Sequence, residues 1–388
     1  MDGGRSFSNE ETVAETTRVR AGQLFMVGVP GPSLDRATRA FLKSHAVSGV
    51  ILFRRNVTDV AALVALTGEL HAISPERPIL VAIDHEGGRV SRLGEPFTQF
   101  PPAAMVGRAG SPHLAYRQGI AMGEELRSVG IDIDFAPVLD VASNPHNPVI
   151  GDRSFGAHPR TVSRLGISIA HGLQRTGIVA CGKHFPGHGD TSVDSHLDLP
   201  VVVRGQPELE RTELFPFRRA IQEGVDALMT AHVVFSALDA ERPATLSRRI
   251  LTELLRERMR FRGVVFSDDL QMKAIADRFA AGDAAIAAVE AGVDWLVACE
   301  SLDFAEHAIG ALERTASRRA RLATRMDEAA ARIEALRRNH LRRLRRPYAY
   351  PPIPPEGFPN HRNLVRWIHE RAEQAIEVGS TRPLVPRP

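Results

Sequence analysis

Residues 177–196, GIVACGKHFPGHGDTSVDSH, join a short apolar run to a polar segment rich in His, Asp and Lys. The apolar run ends at Cys181, and the glycine after it predicts a buried strand that opens into a loop. Pro186 and Gly187 exclude a helix in the polar segment. We therefore expect a loop that begins at Lys183 and carries chemistry at a strand end.

Seven further apolar windows predict strands, and most are continuous rather than alternating, which is typical of parallel strands covered on both faces. The eight windows are Gln23–Val27, Gly49–Phe53, Ile79–Ile83, Ile131–Pro137, Ile178–Cys181, Ala227–Ala231, Gly263–Phe266 and Trp295–Ala298. Between them lie segments of helical periodicity, which are Val60–His71, Leu114–Val129, Arg160–Gln174, Leu209–Gln222, Ser247–Met259 and Ala280–Ala291. This alternation predicts an α/β fold, a single (β/α)₈ barrel of the TIM type. The absence of a GxGxxG or Walker loop disfavours a nucleotide-binding sheet.

The 388 residues leave room for appendages, since such a barrel takes about 250 residues. We expect a flexible N-terminal tail at residues 1–17 and the barrel at residues 18–345. Residues 346–388 predict a Pro-rich linker and an amphipathic helix, Asn363–Val378, that docks on the barrel or on a second subunit. The basic run from Arg337 to Arg346 could contact an anionic partner, but it more simply predicts a solvated helix face.

Composition indicates no macromolecular partner. The formal net charge of +3 is too small to indicate nucleic-acid binding by itself. Cys181 and Cys299 lie in separate apolar runs, which predicts reduced core thiols. The first residues lack a secretory signal pattern, and no apolar run reaches about 18 residues. We expect a cytoplasmic protein without membrane insertion, either a monomer or a homodimer.

Acidic and basic residues collect after the predicted strands, at the barrel end where active sites lie. The candidates there are Asp84, Glu86, Arg92, Asp140, Arg153, Lys183, His184, His232, Asp268 and Asp269. Lys183 is one of only three lysines in the chain. Its compact ammonium group supplies three donors, which suits a specific contact with a hydroxyl or a carbonyl.

Asp194 and His196 are two positions apart, so in an extended loop they project the same way. A carboxylate beside an imidazole fixes its tautomer and suits it to proton transfer. Metal binding is the rival use of the histidines and aspartates of this loop. Pro186 and Gly187 deny His184 and His188 the helix that a zinc pair needs, and we expect no metal and no cofactor.

Asp268 and Asp269 end the strand Val264–Ser267, and alternation predicts that only one of them faces the barrel mouth. A carboxylate opposite His196 across a sugar-sized gap would provide the nucleophile and the acid/base of glycoside cleavage by double displacement.

Five motifs together resemble the bacterial β-N-acetylhexosaminidases of glycoside hydrolase family 3, the NagZ type. The motifs are AIDHEGGRVSRL at residues 82–93, GDRSFG at 151–156, KHFPGHGDTSVDSH at 183–196, MTAHV at 229–233 and VVFSDDLQM at 264–272. The resemblance spans residues 18–299, in the family's order. His85 stands where such enzymes often have Gln.

The resemblance implies a retaining exo-β-N-acetylglucosaminidase that removes terminal β-linked GlcNAc from cytoplasmic peptidoglycan fragments, such as GlcNAc-1,6-anhydro-MurNAc. It implies Asp268 as nucleophile, His196 as general acid/base and Asp194 as the residue that orients His196. It further implies that five residues hold the sugar: Asp84, Arg92, Arg153, Lys183 and His184.

Other functions use the same residues. A His acid/base tolerates an incoming anion better than Glu would, so phosphate in place of water would make the chain a phosphorylase. A β-glucosidase would share the barrel. A non-catalytic sugar-binding protein is the alternative of another class, and the presence of Asp268, His196 and Asp194 disfavours it.

Overall fold

Eight parallel strands close into a barrel in the computed structural model, which describes residues 21–195, 197–344, 353 and 357–380. The strands are β1 (Phe25–Gly28), β2 (Gly49–Leu52), β3 (Leu80–Ile83), β4 (Ile133–Asp134), β5 (Val179–Phe185), β6 (Ala227–Thr230), β7 (Val264–Asp269) and β8 (Trp295–Ala298). Each strand pairs with its neighbours in sequence, and β1 pairs with β8 to close the ring. The predicted (β/α)₈ fold is confirmed. The tail predicted at residues 1–17 lies outside the described residues.

Large apolar side chains fill the barrel beneath its open end. Phe266 stacks on Trp295 with ring centroids 5.0 Å apart, and Phe135 meets Phe266 edge-on at 5.2 Å. Gly49 makes room for them, because a Cβ there would lie 2.8 Å from the Trp295 ring. This layer fills the barrel interior, and the active sites of such barrels lie at the end where the strands terminate.

The helices form a ring around the barrel. They are α1 (Arg36–Ser44), α2 (Val60–Ala72), α3 (Ala103–Ala109), α4 (Pro112–Ser128), α5 (Pro159–Thr176), α6 (Gln206–Arg211), α7 (Leu214–Gln222), α8 (Lys273–Ala276), α9 (Ala281–Ala291), α10 (Leu302–Ala316) and α11 (Ala320–Leu344). Residues Arg249–Arg258 form a helix with π-type hydrogen bonds. The single helix predicted over 209–222 is two helices, because Thr212 and Glu213 separate α6 from α7.

A small three-stranded sheet lies outside the barrel. It consists of Val201–Val202, Val234–Phe235 and Asp239–Pro243. It follows the two barrel strands β5 and β6 and leads into a short 3₁₀ turn, Ala244–Leu246. The sequence windows did not predict this sheet, since two of its strands have only two residues.

Part of the basic run on α11 is buried, so the predicted solvated face is wrong for Arg337, while Arg343 is partly exposed. The side chain of Arg337 is 2% exposed and donates to Glu334 at 2.8 Å. Arg343 makes two bonds to the carboxylate of Asp226, at 2.8 and 2.7 Å. Glu334 also belongs to α11, so its pair with Arg337 lets that cation be buried within the helix, whereas the pair with Asp226 fastens α11 to the segment before β6.

The last helix, α12 (Pro359–Ser380), lies against α3 and α4. Its apolar residues Leu364, Ile368 and Ala372 are buried. The ring nitrogens of His361 contact Glu125 at 2.7 Å and Glu124 at 3.1 Å. The predicted amphipathic helix therefore docks on the barrel's own helices. Among the described residues, no helix has the length and apolarity to cross a membrane.

Candidate active site

A cavity of about 270 Å³ opens at the ends of the barrel strands. Its lining includes Phe53, Asp84, Lys183, His188, Asp268 and Met272. A larger cavity of about 460 Å³ lies among the outer helices, lined by residues such as Arg242, Arg321 and Thr324. We place the site in the smaller cavity, because its lining brings buried acids and bases together at the strand ends, where the active sites of such barrels lie.

Five charged side chains form a network on one wall of the cavity. The ammonium group of Lys183 lies 2.7 Å from Asp84 and 2.6 Å from Glu86. Arg153 donates two bonds of 2.8 Å to the carboxylate of Glu86. Arg92 lies 3.5 Å from the second oxygen of Asp84. Three sugar contacts implied by the resemblance, at Asp84, Arg153 and Lys183, thus meet around Glu86.

The network keeps Glu86 and Lys183 charged. Burial alone would raise the pKa of Glu86, but Lys183 and Arg153 hold that pKa well below its ordinary value. Burial would likewise lower the pKa of Lys183, and the carboxylates of Asp84 and Glu86 raise it instead. A permanently charged array of this kind offers fixed donors and acceptors to sugar hydroxyls.

A second buried carboxylate, Asp134, lies behind this wall. It accepts from the backbone N–H of His85 at 3.0 Å, and its other oxygen has no hydrogen-bond partner among the described residues. Burial raises the pKa of Asp134 well above its ordinary value, and the nearby Asp84 and Glu86 raise it further. The Asp134 side chain is buried and does not belong to the cavity lining.

Asp140 holds the second wall, which carries His184 and His188. Its carboxylate lies 2.7 Å from His184 Nδ1 and accepts from the backbone N–H of His188 at 2.6 Å. Arg153 approaches His184 Nε2 at 3.5 Å. Because a guanidinium only donates, His184 accepts at Nε2 and donates from Nδ1 to Asp140.

His188 was considered only as a metal ligand in the sequence, but the structure gives it a different place. Its Nδ1 lies 2.9 Å from Thr191 Oγ1 and its Nε2 lies 3.1 Å from Ser195 Oγ. Burial lowers the pKa of His188 to about 4, so the ring is neutral near pH 7. It fixes the chain on both sides of the 192–194 segment.

Lys183 and His184 belong to β5 rather than to the loop that we expected to begin at Lys183. The strand continues to Phe185. Leu139 donates to the carbonyl of Lys183 at 2.6 Å, and Ala231 donates to that of Phe185 at 2.8 Å. Pairing with neighbouring segments therefore extends the strand through polar residues, which local apolarity could not predict.

The loop after β5 is held tightly at its start. A Cβ at Gly189 would lie 1.6 Å from the carbonyl oxygen of Val141, so only glycine fits there. Asn147 donates to the carbonyl of His188 at 2.8 Å and to Thr191 Oγ1 at 3.1 Å. These bonds fix the segment Gly189–Thr191 against the loop that follows β4.

The far end of the same loop reaches the cavity. Ser195 lines it and is 2% exposed. The carbonyl of Asp194 accepts from the backbone of Leu197 at 2.9 Å. His196 lies outside the described residues, so its predicted role, and the orienting role of Asp194, stay predictions.

Asp268 and Asp269 both contribute to the cavity lining. We predicted that only one of them would face the mouth, because side chains alternate along a regular strand. That regularity is interrupted here, since the register of β7 against β8 shifts between Phe266 and Asp269. The Asp269 carboxylate accepts from the backbone of Gln271 at 3.1 Å and of Cys299 at 3.2 Å. Burial raises the pKa of Asp269 to about 6.

Within residues 21–195, 197–344, 353 and 357–380, no group of three or more His, Cys, Asp or Glu side chains is arranged to hold a metal ion. The rival ligand set also includes His196, which lies outside the described residues. His184 and His188 have ring centroids 5.8 Å apart and make the bonds given above to Asp140, Thr191 and Ser195.

Residues 16–336 match the model of the glycosyl hydrolase family 3 N terminal domain. A β-hexosaminidase of Methylococcus capsulatus is 45% identical over 75% of this chain and 87% of its own length. The structure of a glycoside hydrolase family 3 β-N-acetylglucosaminidase from Paenibacillus sp. is 39% identical with a TM-score of 0.87, over 92% of this chain and 68% of that one. NagZ from Neisseria gonorrhoeae, in complex with N-trifluoroacetyl-D-glucosamine, is 32% identical with a TM-score of 0.70, over 90% of this chain and 98% of that one.

Proposed function

Because the chain belongs to glycosyl hydrolase family 3, and is a β-hexosaminidase of that family, we propose that it removes terminal β-linked GlcNAc with retention of configuration. The proposed substrates are cytoplasmic peptidoglycan fragments such as GlcNAc-1,6-anhydro-MurNAc and its peptides. The resemblance to the NagZ type supports that choice, and the complex of the Neisseria protein with an N-acylated glucosamine supports GlcNAc as the sugar.

The observation that carries the proposal is the pairing of a charged hydroxyl-binding wall with a carboxylate at the opposite strand end. The ammonium group of Lys183 lies 2.7 Å from the Asp84 carboxylate and 2.6 Å from the Glu86 carboxylate. Asp268 borders the same cavity. A pyranose held by its hydroxyls against that wall would present its anomeric carbon to Asp268.

In the proposed first step, Asp268 attacks the anomeric carbon and forms an ester to the sugar. The glycosidic C–O bond breaks, and the leaving oxygen takes a proton from His196. In the second step, water gives a proton to His196 and its oxygen attacks the anomeric carbon, which releases Asp268. Two inversions give net retention. Asp194 would keep the imidazole in the required tautomer.

Asp84, Arg92, Arg153, Lys183 and His184 are the proposed contacts of the GlcNAc. We add Glu86 as the group that holds Lys183 and Arg153 in place, since it bonds to both. The fixed tautomer of His184 leaves its Nε2 as an acceptor near Arg153. Remote contacts of this kind supply the binding energy that orients the reacting bond.

The test compares the release of nitrophenol from the 4-nitrophenyl β-glycosides of GlcNAc and glucose. We expect strong preference for GlcNAc and loss of turnover in Asp268→Ala. Asp303→Asn, an exposed change on α10, serves as a control with native activity. Proton NMR of the first product formed should show the β-anomer.

Three results would contradict the proposal. Preference for glucose would favour a β-glucosidase. Turnover that depends on phosphate and yields a sugar 1-phosphate would favour a phosphorylase. Binding of the natural fragment without turnover would favour a sugar-binding protein.

A further inference from the structure

A chain of hydrogen bonds links the strand end that bears Asp268 to the buried turn Ala244–Leu246. The backbone N–H of Asp268 donates to Thr230 Oγ1 at 3.3 Å. Thr230 Oγ1 lies 2.8 Å from Thr245 Oγ1, which lies 2.7 Å from His232 Nδ1. His232 Nε2 donates to the carbonyl oxygen of Asp269 at 2.9 Å. The hydrogen bonds thus run from Asp268 through Thr230, Thr245 and His232 and end at Asp269.

Donors and acceptors along this chain fit one direction. A carbonyl oxygen only accepts, so Nε2 of His232 carries a proton, and with that tautomer of the imidazole Nδ1 is the acceptor. The Thr245 hydroxyl then donates to Nδ1 and accepts from Thr230, whose oxygen accepts from the Asp268 backbone. Thr245 Oγ1 also lies 3.1 Å from the carbonyl of Ala231, the longer of its two acceptor contacts.

Burial gives this chain its rigidity. Thr230, His232 and Thr245 are each 0% exposed, so water cannot replace a lost bond. The turn itself is anchored at both ends. Ala244 donates to the carbonyl of Val233 at 2.8 Å, and Ser247 Oγ donates to Asp239 at 2.6 Å. The position of Thr245 is therefore fixed independently of Asp268.

We propose that Thr245 is a positioning residue that acts through His232 and Thr230 to fix Asp268 against the anomeric carbon. This inference rests on the proposed function, in which Asp268 is the nucleophile. Loss of the Thr245 hydroxyl removes the donor to His232 and the acceptor for Thr230, so the two side chains that bond to the strand end lose the group that orients them. A displacement of about 1 Å at a reacting atom costs on the order of 100-fold in rate.

The test uses 5-fluoro-GlcNAc β-fluoride, which forms a stable ester with the nucleophile. In that step a carboxylate oxygen attacks the anomeric carbon and the C–F bond breaks, with its electron pair leaving as fluoride. Fluoride is a good leaving group that needs little protonation, so the labelling rate reports on the nucleophile rather than on His196. Labelling is followed by the mass of the intact protein.

We expect Thr245→Val to lower the limiting labelling rate roughly 10- to 100-fold, with little change in the probe concentration giving half that rate. Thr245→Ser keeps the hydroxyl and should restore most of the rate. Thr230→Val interrupts the same chain nearer to Asp268, and it decides the question if Thr245→Val does not fold.

Thr67→Val is the matched control, because Thr67 is also buried and its hydroxyl donates to the carbonyl of Val129, at 2.9 Å. It should lose stability but label at the native rate. The inference is overturned if the folded Thr245 and Thr230 variants label at the native rate, or if Thr67→Val is equally slow. A native protein that the probe does not label overturns the proposed function itself.

Discussion

We expect Glu86 to hold the charged wall of the cavity in place and to contribute to the free energy of unfolding. The variant Glu86→Gln tests both expectations. The side chain is 5% exposed and contacts two cations that are themselves buried, Lys183 at 2% and Arg153 at 11% exposure. The amide keeps the shape but removes the charge. The substitution also replaces one carboxylate oxygen, which accepts a hydrogen bond from Lys183 or Arg153, with an amide NH₂ group that only donates.

Removing one partner of a buried ion pair costs about 3–5 kcal/mol, because the remaining charge loses its compensation. We expect a loss of that size in the free energy of unfolding, out of a total of roughly 5–15 kcal/mol. Turnover of the GlcNAc glycoside should fall as well, since Lys183 and Arg153 lose the group that orients them. Glu223→Gln is the matched control, because Glu223 pairs with Arg219 on the surface and should cost less than about 1 kcal/mol.

The pH dependence provides a second check on Glu86. Its pKa in the folded protein is held below the ordinary value of 4.5. The stabilisation is therefore fully present above about pH 4.5 and is lost as the pH falls below it. Denaturant unfolding of the native protein and of Glu86→Gln should show a difference that narrows in acid. A difference below about 1 kcal/mol near neutral pH, together with native turnover, would refute the reasoning.

Three further outcomes are expected. The two glutamate partners of His361 on α4 raise its pKa to about 9, so the charged ring should help to hold α12 in place fully below about pH 6.5 and lose this effect as the pH rises through 9. Proteolysis within α12 should therefore increase near pH 9 in the native protein but not in His361→Gln. Gly189→Ala should abolish turnover or folding, as measured by activity and thermal unfolding, because its Cβ would meet the carbonyl of Val141 at 1.6 Å. Asp269→Asn should raise the free energy of unfolding by about 3 kcal/mol above pH 6 and by little below pH 4, because burial raises the pKa of Asp269 from 3.8 to about 6 and makes its ionised form costly.

The barrel was predictable because parallel strands covered on both faces appear as contiguous apolar runs. All eight windows overlap a strand of the structure. The small outer sheet was not predictable in the same way, since its short strands depend on pairing rather than on their own composition. The buried part of α11 was missed for a related reason: Arg337 is buried because Glu334 pairs with it, and a basic run by itself predicts exposure.

The sequence predicted which residues lie at the strand ends of the site, but it predicted fewer of the hydrogen bonds and ion pairs that join them. Asp84 and Lys183 are 99 positions apart, and only the barrel's closure implies that they meet. Glu86 had one usable signal, which is its position two residues after Asp84, on the same side of an extended segment. His188 and Thr245 had none, because their roles depend on hydrogen bonds to distant backbone and side-chain atoms.

The most direct test of the central claim is to identify the residue that 5-fluoro-GlcNAc β-fluoride labels. The account predicts a single sugar ester on Asp268, located by fragmentation of the labelled peptide, with no label in Asp268→Ala. A label on Asp269 or on another carboxylate would contradict the assignment of the nucleophile. Turnover of the GlcNAc glycoside without any covalent label, together with an α-configured first product, would contradict double displacement.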